Sequence, residues 1–189
     1  MLIEEGNDPV FDPPALQEYM DTWDGQLFFD LLHLEKDENV LEIGCGTGRI
    51  ARKVAPNVKS FCGMDISPQT IAAAKKHLPF ANTKLICADF LAYAFDETFD
   101  LIYSTLTFLH IENKQKAMEK VFGLLCPGGS FILSIGKSDE EFLDFGTRKL
   151  KVYPDDPNET MHILKSNGFS NMQKYETEFA YIFSAEKPL

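Results

Sequence analysis

Three glycines at every second position, Gly44, Gly46 and Gly48, follow directly on the apolar run Val40-Leu41-Glu42-Ile43. Glycines set that densely after a strand let backbone approach a ligand where any side chain would collide. With Cys45 and Thr47 between them, they form a loop suited to a polar, nucleoside-bearing small molecule. A helix expected over 48–55 would turn its unpaired N–H groups and positive dipole end toward the same point. Asp65 and Asp89 each end a later apolar run. Carboxylates placed there can accept hydrogen bonds from hydroxyl or amino groups, and their charge strengthens those bonds. His110 is the candidate for moving a proton, in the segment Thr105-Leu106-Thr107-Phe108-Leu109-His110. No nucleophilic triad is visible. The four cysteines (45, 62, 87 and 126) stand singly, with no C-x-x-C pair for zinc or redox exchange, and no metal site is predicted. Cys62 and Cys87 lie in apolar, strand-like surroundings and are expected to be small buried hydrophobes.

These residues must be positioned by alternating strands and helices. Strands are predicted at 39–43, 59–64, 83–87, 99–103 and 130–135. Ser67-Pro68 opens a helix with a capping serine and a first-turn proline, and Pro79 stops it. Met118, Val121, Phe122 and Leu125 mark another helix, halted by Cys126-Pro127-Gly128-Gly129. An acidic stretch runs from Asp139 to Asp144, a helix starts at Pro157 and ends at Gly168, and runs at 171–178 and 180–185 suggest a closing antiparallel pair. The N-terminal part has a helical stripe through Leu16, Tyr19, Met20, Trp23, Leu27 and Leu31, entered at Asp12-Pro13-Pro14 and broken at Gly25. Such alternation implies a doubly wound α/β fold, a mostly parallel seven-stranded sheet with helices on both faces. Ligands of these sheets bind beyond the carboxyl ends of the strands, where Gly44–Gly48, Asp65 and Asp89 are all predicted to lie. The chain reads as one domain over 1–189, with a helical cap at 1–36 and the core at 37–189.

Composition narrows the partners. The chain carries 18 basic and 29 acidic residues, a net charge of −11, which weighs against phosphate backbones and so against nucleic acid. A hydrophobic content of 44% with 25% charged residues is that of a globular protein with a substantial core. No apolar run approaches the roughly 20 residues of a membrane span. Met1-Leu2-Ile3-Glu4-Glu5-Gly6 lacks a secretory layout, so a cytoplasmic location is expected.

The glycine spacing decides between nucleoside ligands. A nicotinamide dinucleotide fingerprint runs G-x-G-x-x-G, whereas here the third glycine comes one position early. Glu42, two residues before the first glycine, is a poor neighbour for a pyrophosphate and suits a ligand with an ammonium or sulfonium charge. The loop also lacks the G-K-[ST] ending of a phosphate loop. Glu42-Ile43-Gly44-Cys45-Gly46-Thr47-Gly48 resembles motif I of the class I S-adenosylmethionine-dependent methyltransferases. The resemblance continues in order through Gly63-Met64-Asp65-Ile66-Ser67, Ala88-Asp89-Phe90, Phe99-Asp100-Leu101-Ile102-Tyr103-Ser104 and Leu124-Leu125-Cys126-Pro127-Gly128-Gly129. It covers about residues 38–136 and adds the typical closing hairpin.

The resemblance implies S-adenosylmethionine as methyl donor, with Gly44, Cys45 and Gly46 lining its methionine portion and Gly48 completing the loop. It implies that Asp65 accepts from the ribose hydroxyls, that Ile66 flanks the adenine, and that Asp89 and the Phe90 backbone read its edge. Tyr103 and Ser104 would approach the sulfonium end, and Tyr19 and Trp23 could fold over the cofactor as a lid. Glu42 is expected to organise the loop through hydrogen bonds to its backbone. His110 is the candidate base beside the acceptor, with packing against the following helix as the competing role. His33, His77 and His162 sit in helical contexts and read as surface or packing residues. Strand four ends in Tyr-Ser-Thr, without the Asn-Pro-Pro-Tyr associated with amide or exocyclic amino nitrogens. With 16 phenylalanines, the chain leans toward a small, partly apolar acceptor. A non-catalytic cofactor-binding or scaffold protein of the same fold remains an alternative, and a nicotinamide oxidoreductase a weaker one.

Overall fold

The structure, a computed structural model, describes residues 14–144 and 149–189. Five parallel strands form its centre: β1 (Asn39–Ile43), β2 (Ser60–Asp65), β3 (Thr83–Cys87), β4 (Phe99–Thr105) and β5 (Leu125–Gly136). A hairpin of β8 (Ser170–Glu176) and β9 (Ala180–Glu186) joins antiparallel to β5, giving the order β3-β2-β1-β4-β5-β9-β8. This is the expected doubly wound, seven-stranded sheet. Between β5 and β8 the short strands β6 (Phe142–Asp144) and β7 (Lys149–Lys151) pair antiparallel, a unit the acidic run did not announce.

Helices cover both faces, as the alternation of buried residues demands. Leu41, Ile43, Ile102, Phe131 and Leu133 pack with α4 (Lys114–Leu124) and α5 (Pro157–Ser166). Val40, Phe61, Leu101, Tyr103 and Ile132 pack with α1 (Pro14–Leu31), α2 (Ala51–Val54) and α3 (Pro68–His77). Helix α1 is kinked at Gly25, whose φ of 68° leaves the helical region. Asp12 and Pro13, the expected entry to that helix, lie outside the described residues, as does the segment read for a secretory signal. Ser67 caps α3 by accepting from the Thr70 N–H, and Pro68 stands in its first turn.

Two expected boundaries are corrected. The helix placed over 48–55 is only the four residues Ala51–Val54, followed by a 3-10 turn at Ala55–Asn57. Gly48 has φ +94° and belongs to the loop, so the loop's own backbone, more than a long helix dipole, faces the crevice. Strand β5 starts at Leu125 and takes in Cys126-Pro127-Gly128-Gly129. A Cβ on Gly129 would stand 2.9 Å from the Asp100 carbonyl, and the register slips between Phe99 and Leu101 to accommodate that stretch. No described helix is long and apolar enough to cross a membrane.

Candidate active site

The strand order reverses between β1 and β4, which places the glycine loop at the topological switch point. The loop is stitched to the tip of β2. The Gly44 and Cys45 N–H groups donate to the Met64 carbonyl at 2.8 and 2.9 Å, and the Gly46 N–H donates to Asp65 Oδ2 at 3.1 Å. Asp65 Oδ1 accepts from the Ser67 N–H at 2.9 Å, so one carboxylate ties the loop to the start of α3. The structure thus brings the glycine loop and Asp65 together.

The three glycines serve different ends. Gly44 has φ +78°, and a Cβ there would lie 2.0 Å from Thr107 Oγ1. Gly48 has φ +94°, and a Cβ would meet Leu78 at 2.9 Å, so its bareness lets the loop pack on the end of α3. Gly46 has φ +55°, and a Cβ there would meet nothing within 4 Å. Only Gly46 keeps open space above it, which is what a ligand cradle requires. Thr47 is buried between them, with a hydroxyl that has no hydrogen-bond partner among the described residues. His77 Nδ1 meets the Thr47 carbonyl at 3.0 Å, a packing role for that histidine.

Other predicted residues take up varied positions. Glu42 is buried and accepts from the Tyr103 hydroxyl at 3.0 Å, so it is anchored by a side chain of β4 as well as standing next to the loop. Tyr103 is a correction. It is wholly buried, with its ring edge-on to Phe28 at 6.0 Å, and does not reach the crevice. Ser104 is also wholly buried, its hydroxyl donating to the Ile43 carbonyl at 2.8 Å, which leaves only its backbone to serve a ligand. Burial pushes the Cys45 thiol well above its ordinary pKa, with Glu42 and Asp65 adding to the shift, so it is neutral. Cys62 is buried as expected, with its thiol pushed up to about 12 by desolvation. Cys87 is exposed, contrary to expectation, because it ends β3, the edge strand of the sheet.

On the β3 side, Ile66 leaves 69% of its surface in solvent, a large apolar side chain beside Asp65. Asp89 is exposed, and its Oδ1 accepts from the Leu91 and Ala92 N–H groups at 2.6 and 3.1 Å. Asp89 therefore also shapes a turn, which engages one carboxylate oxygen of two. Phe90 is buried, with its ring in the core.

The β4 side was largely illegible in the sequence. Leu106 adopts φ 49°, a strained conformation for a non-glycine residue, and the chain then folds Thr107 down over Gly44. His110 follows in a 3-10 turn, Phe108–His110, and is exposed. The protein mass around its ring still lowers its pKa below the ordinary value. Asp65 is near enough to oppose that shift, while Lys114 reinforces it. Asp65 and His110 therefore share one electrostatic neighbourhood. Lys114 donates to the Phe108 and Tyr153 carbonyls at 2.7 and 2.8 Å and pairs with Asp155 at 2.8 Å, while the Tyr153 N–H donates to the Leu109 carbonyl. That lysine lays the segment after β7 against the His110 turn. Trp23 stacks on Phe179 with centroids 5.3 Å apart and lies near Gly136, on the β5 side of the crevice. The side chain of Tyr19 lies outside the described residues.

These residues fit S-adenosylmethionine in kind. The Gly46 cradle is open, Asp65 sits at the tip of β2, and an apolar side chain stands beside it where an aromatic base could cover it. Residues 41–133 match the family described as a methyltransferase domain. The chain is 35% identical over 124 residues to a phosphoethanolamine N-methyltransferase of Triticum aestivum, covering 61% of this chain and 25% of that protein. It is 35% identical over 104 residues to malonyl-[acyl-carrier protein] O-methyltransferase 1 of Ilyobacter polytropus, covering 53% of this chain and 38% of that one. The chain thus spans well under half the length of these curated relatives. Among solved structures, a candidate S-adenosylmethionine-dependent methyltransferase of Listeria monocytogenes superposes with a TM-score of 0.81 at 18% identity, covering 90% of this chain and 99% of that one, a likeness of fold. Glycine loop, strand order and matched family agree: residues 41–133 carry a methyltransferase domain, in the fold of the class I S-adenosylmethionine-dependent methyltransferases.

Proposed function

We propose that this chain holds S-adenosylmethionine across the tips of β1, β2 and β3 and moves its methyl group to a small-molecule acceptor on the β4 side. The observation that carries this is the open, left-handed Gly46 held 3.1 Å from the carboxylate of Asp65 at the switch point. Asp65 would hold the ribose, Ile66 and Asp89 with the Phe90 backbone the adenine, and Gly44 to Gly46 the methionine portion. When bound, S-adenosylmethionine supplies a methyl group on a sulfonium, already activated for in-line displacement. The protein's share is to align the acceptor and keep water out. Thr107, Leu106 and Trp23 would wall the acceptor side. His110 would accept the acceptor's proton where the nucleophile carries one. Its lowered pKa keeps the imidazole neutral at neutral pH, the form that can take a proton.

The acceptor is a small molecule in this proposal, supported by relatives named for phosphoethanolamine and for malonyl-[acyl-carrier protein] and by the net charge of −11 that disfavours nucleic acid. Four unpaired thiols, one exposed, support a reducing, cytoplasmic setting. Calorimetry with S-adenosylhomocysteine and with NAD, followed by a labelled-methyl assay over small amines, acids and phenols, tests the proposal. Adenosylhomocysteine binding without NAD binding, and label in one acceptor class, are expected. NAD binding alone would overturn the cofactor, and adenosylhomocysteine binding without any labelled product would favour a scaffold.

A further inference from the structure

The turn from Asp89 to Tyr93 has its donors and its acceptors held by different groups. Its N–H groups fold back on Asp89: Leu91 and Ala92 donate to the carboxylate Oδ1, and Tyr93 donates to the Asp89 carbonyl at 3.0 Å. Its carbonyls converge on an ammonium. Lys120, on the middle of α4, donates to the carbonyls of Phe90 at 2.5 Å, Leu91 at 3.4 Å and Tyr93. The same Nζ stands 5.1 Å from the Phe90 ring centroid and 5.5 Å from that of Phe95. Carbonyl oxygens aimed at one point repel each other unless a cation occupies it, and an ammonium among carbonyls and aromatic faces is a charge-assisted hold from several directions.

We propose that Lys120 is a positioning residue for cofactor recognition, fixing the Asp89–Tyr93 turn so that Asp89 and the Phe90 backbone face the adenine edge. This rests on the reading that the turn meets adenine at all. Among the described residues, Lys120 donates to the turn and stands over the Phe90 and Phe95 rings. Its stem leaves α4 next to the buried Ala117, Met118 and Val121, so the helix that covers one face of the sheet also sets the shape of the rim. Asp89 is close enough for its charge to favour the charged lysine, against the burial that disfavours it, and both groups hold the same turn. A turn with both its donors and its acceptors held presents one geometry to a base, and base discrimination depends on that geometry more than overall affinity does.

The test compares S-adenosylhomocysteine with S-inosylhomocysteine, which replaces the adenine amino group by a carbonyl. Wild-type protein is expected to prefer the adenosyl compound at least tenfold. Lys120→Met keeps the apolar stem and removes the charge. It is expected to weaken adenosylhomocysteine about tenfold and bring the preference toward unity, and Lys120→Arg is expected to restore most of both. If Lys120→Met does not fold, Lys120→Gln carries the same comparison. A variant that melts earlier but keeps the full adenosyl preference overturns the proposal, since a structural lysine would do only that. A wild-type protein that binds adenosylhomocysteine yet prefers neither base overturns the adenine reading beneath it, and the proposal with it.

Discussion

On the β1–β2 side of the crevice the hydrogen bonds run from backbone N–H groups to backbone carbonyls or to one carboxylate, over residues 44–67 of the chain. On the β4–β5 side the bonds that shape the rim come from a lysine ammonium at position 114, reaching residues six and 39 positions along the chain. A backbone-built site depends on φ values that glycine supplies, so its signature is local and sits in the sequence as Gly44-x-Gly46-x-Gly48. A side-chain-built wall depends on which distant residues meet, and such meetings have no local signature. In the proposed reading, one half would hold a common cofactor in a shared way, while the other would be free to vary with the acceptor.

The largest expected effect breaks the backbone half. Gly44→Val forces a β-branched residue to φ +78° and against Thr107. Adenosylhomocysteine affinity in calorimetry is expected to fall about 100-fold, roughly 2.7 kcal/mol, with further loss of stability from the strain. Retained affinity would show that the loop tolerates bulk and is no cradle. Lys114→Met breaks the other half by leaving Asp155, whose side chain is 3% exposed, without its cation. Thermal or urea unfolding is expected to show about 2–3 kcal/mol of lost stability. Acceptor KM should rise, while adenosylhomocysteine affinity changes by no more than about twofold. Equal damage to both ligands would erase the contrast between the two sides.

Asp65→Ala is expected to weaken adenosylhomocysteine by about 1–3 kcal/mol, as for lost charge-assisted hydrogen bonds. Unchanged affinity would remove Asp65 from the site. The smallest effect joins the halves. Burial already lowers the His110 pKa and Asp65 raises it, so Asp65→Asn is expected to move it further down in an NMR titration. The sign for stability follows from the lowered value. The unfolded chain takes up the His110 proton first as pH falls below the ordinary histidine value. The stability present above that value is therefore lost on acidification until pH passes the folded pKa. A His110 pKa indifferent to Asp65 would separate the two residues.

The legibility of the sequence follows the same division. The Ser67-Pro68 cap, β1 and β3 to the residue, and the closing hairpin were readable because each is set by neighbours within a few positions. The loop and Asp65 were readable for the same reason. Gly48 looked like the opening of a helix, and only its contact with Leu78 shows the packing it serves. Tyr103 looked like a ligand contact at the end of a strand, but period-two alternation turns it toward Phe28 and Glu42. Cys87 lies in an apolar run like Cys62, yet the edge position of β3 exposes it, and edge position is a property of topology. Thr107 over Gly44, Lys120 under the Asp89 turn and Lys114 with Asp155 join residues about 30 to 60 positions apart and left no mark a single sequence could show.

A crystal structure with S-adenosylhomocysteine bound tests the central claim most directly. The account predicts electron density crossing Gly46, with the ribose on Asp65, the base between Ile66 and Asp89, and the sulfur directed toward the Thr107–His110 side. Density for the ligand elsewhere, with the space above Gly46 left to water, would contradict it.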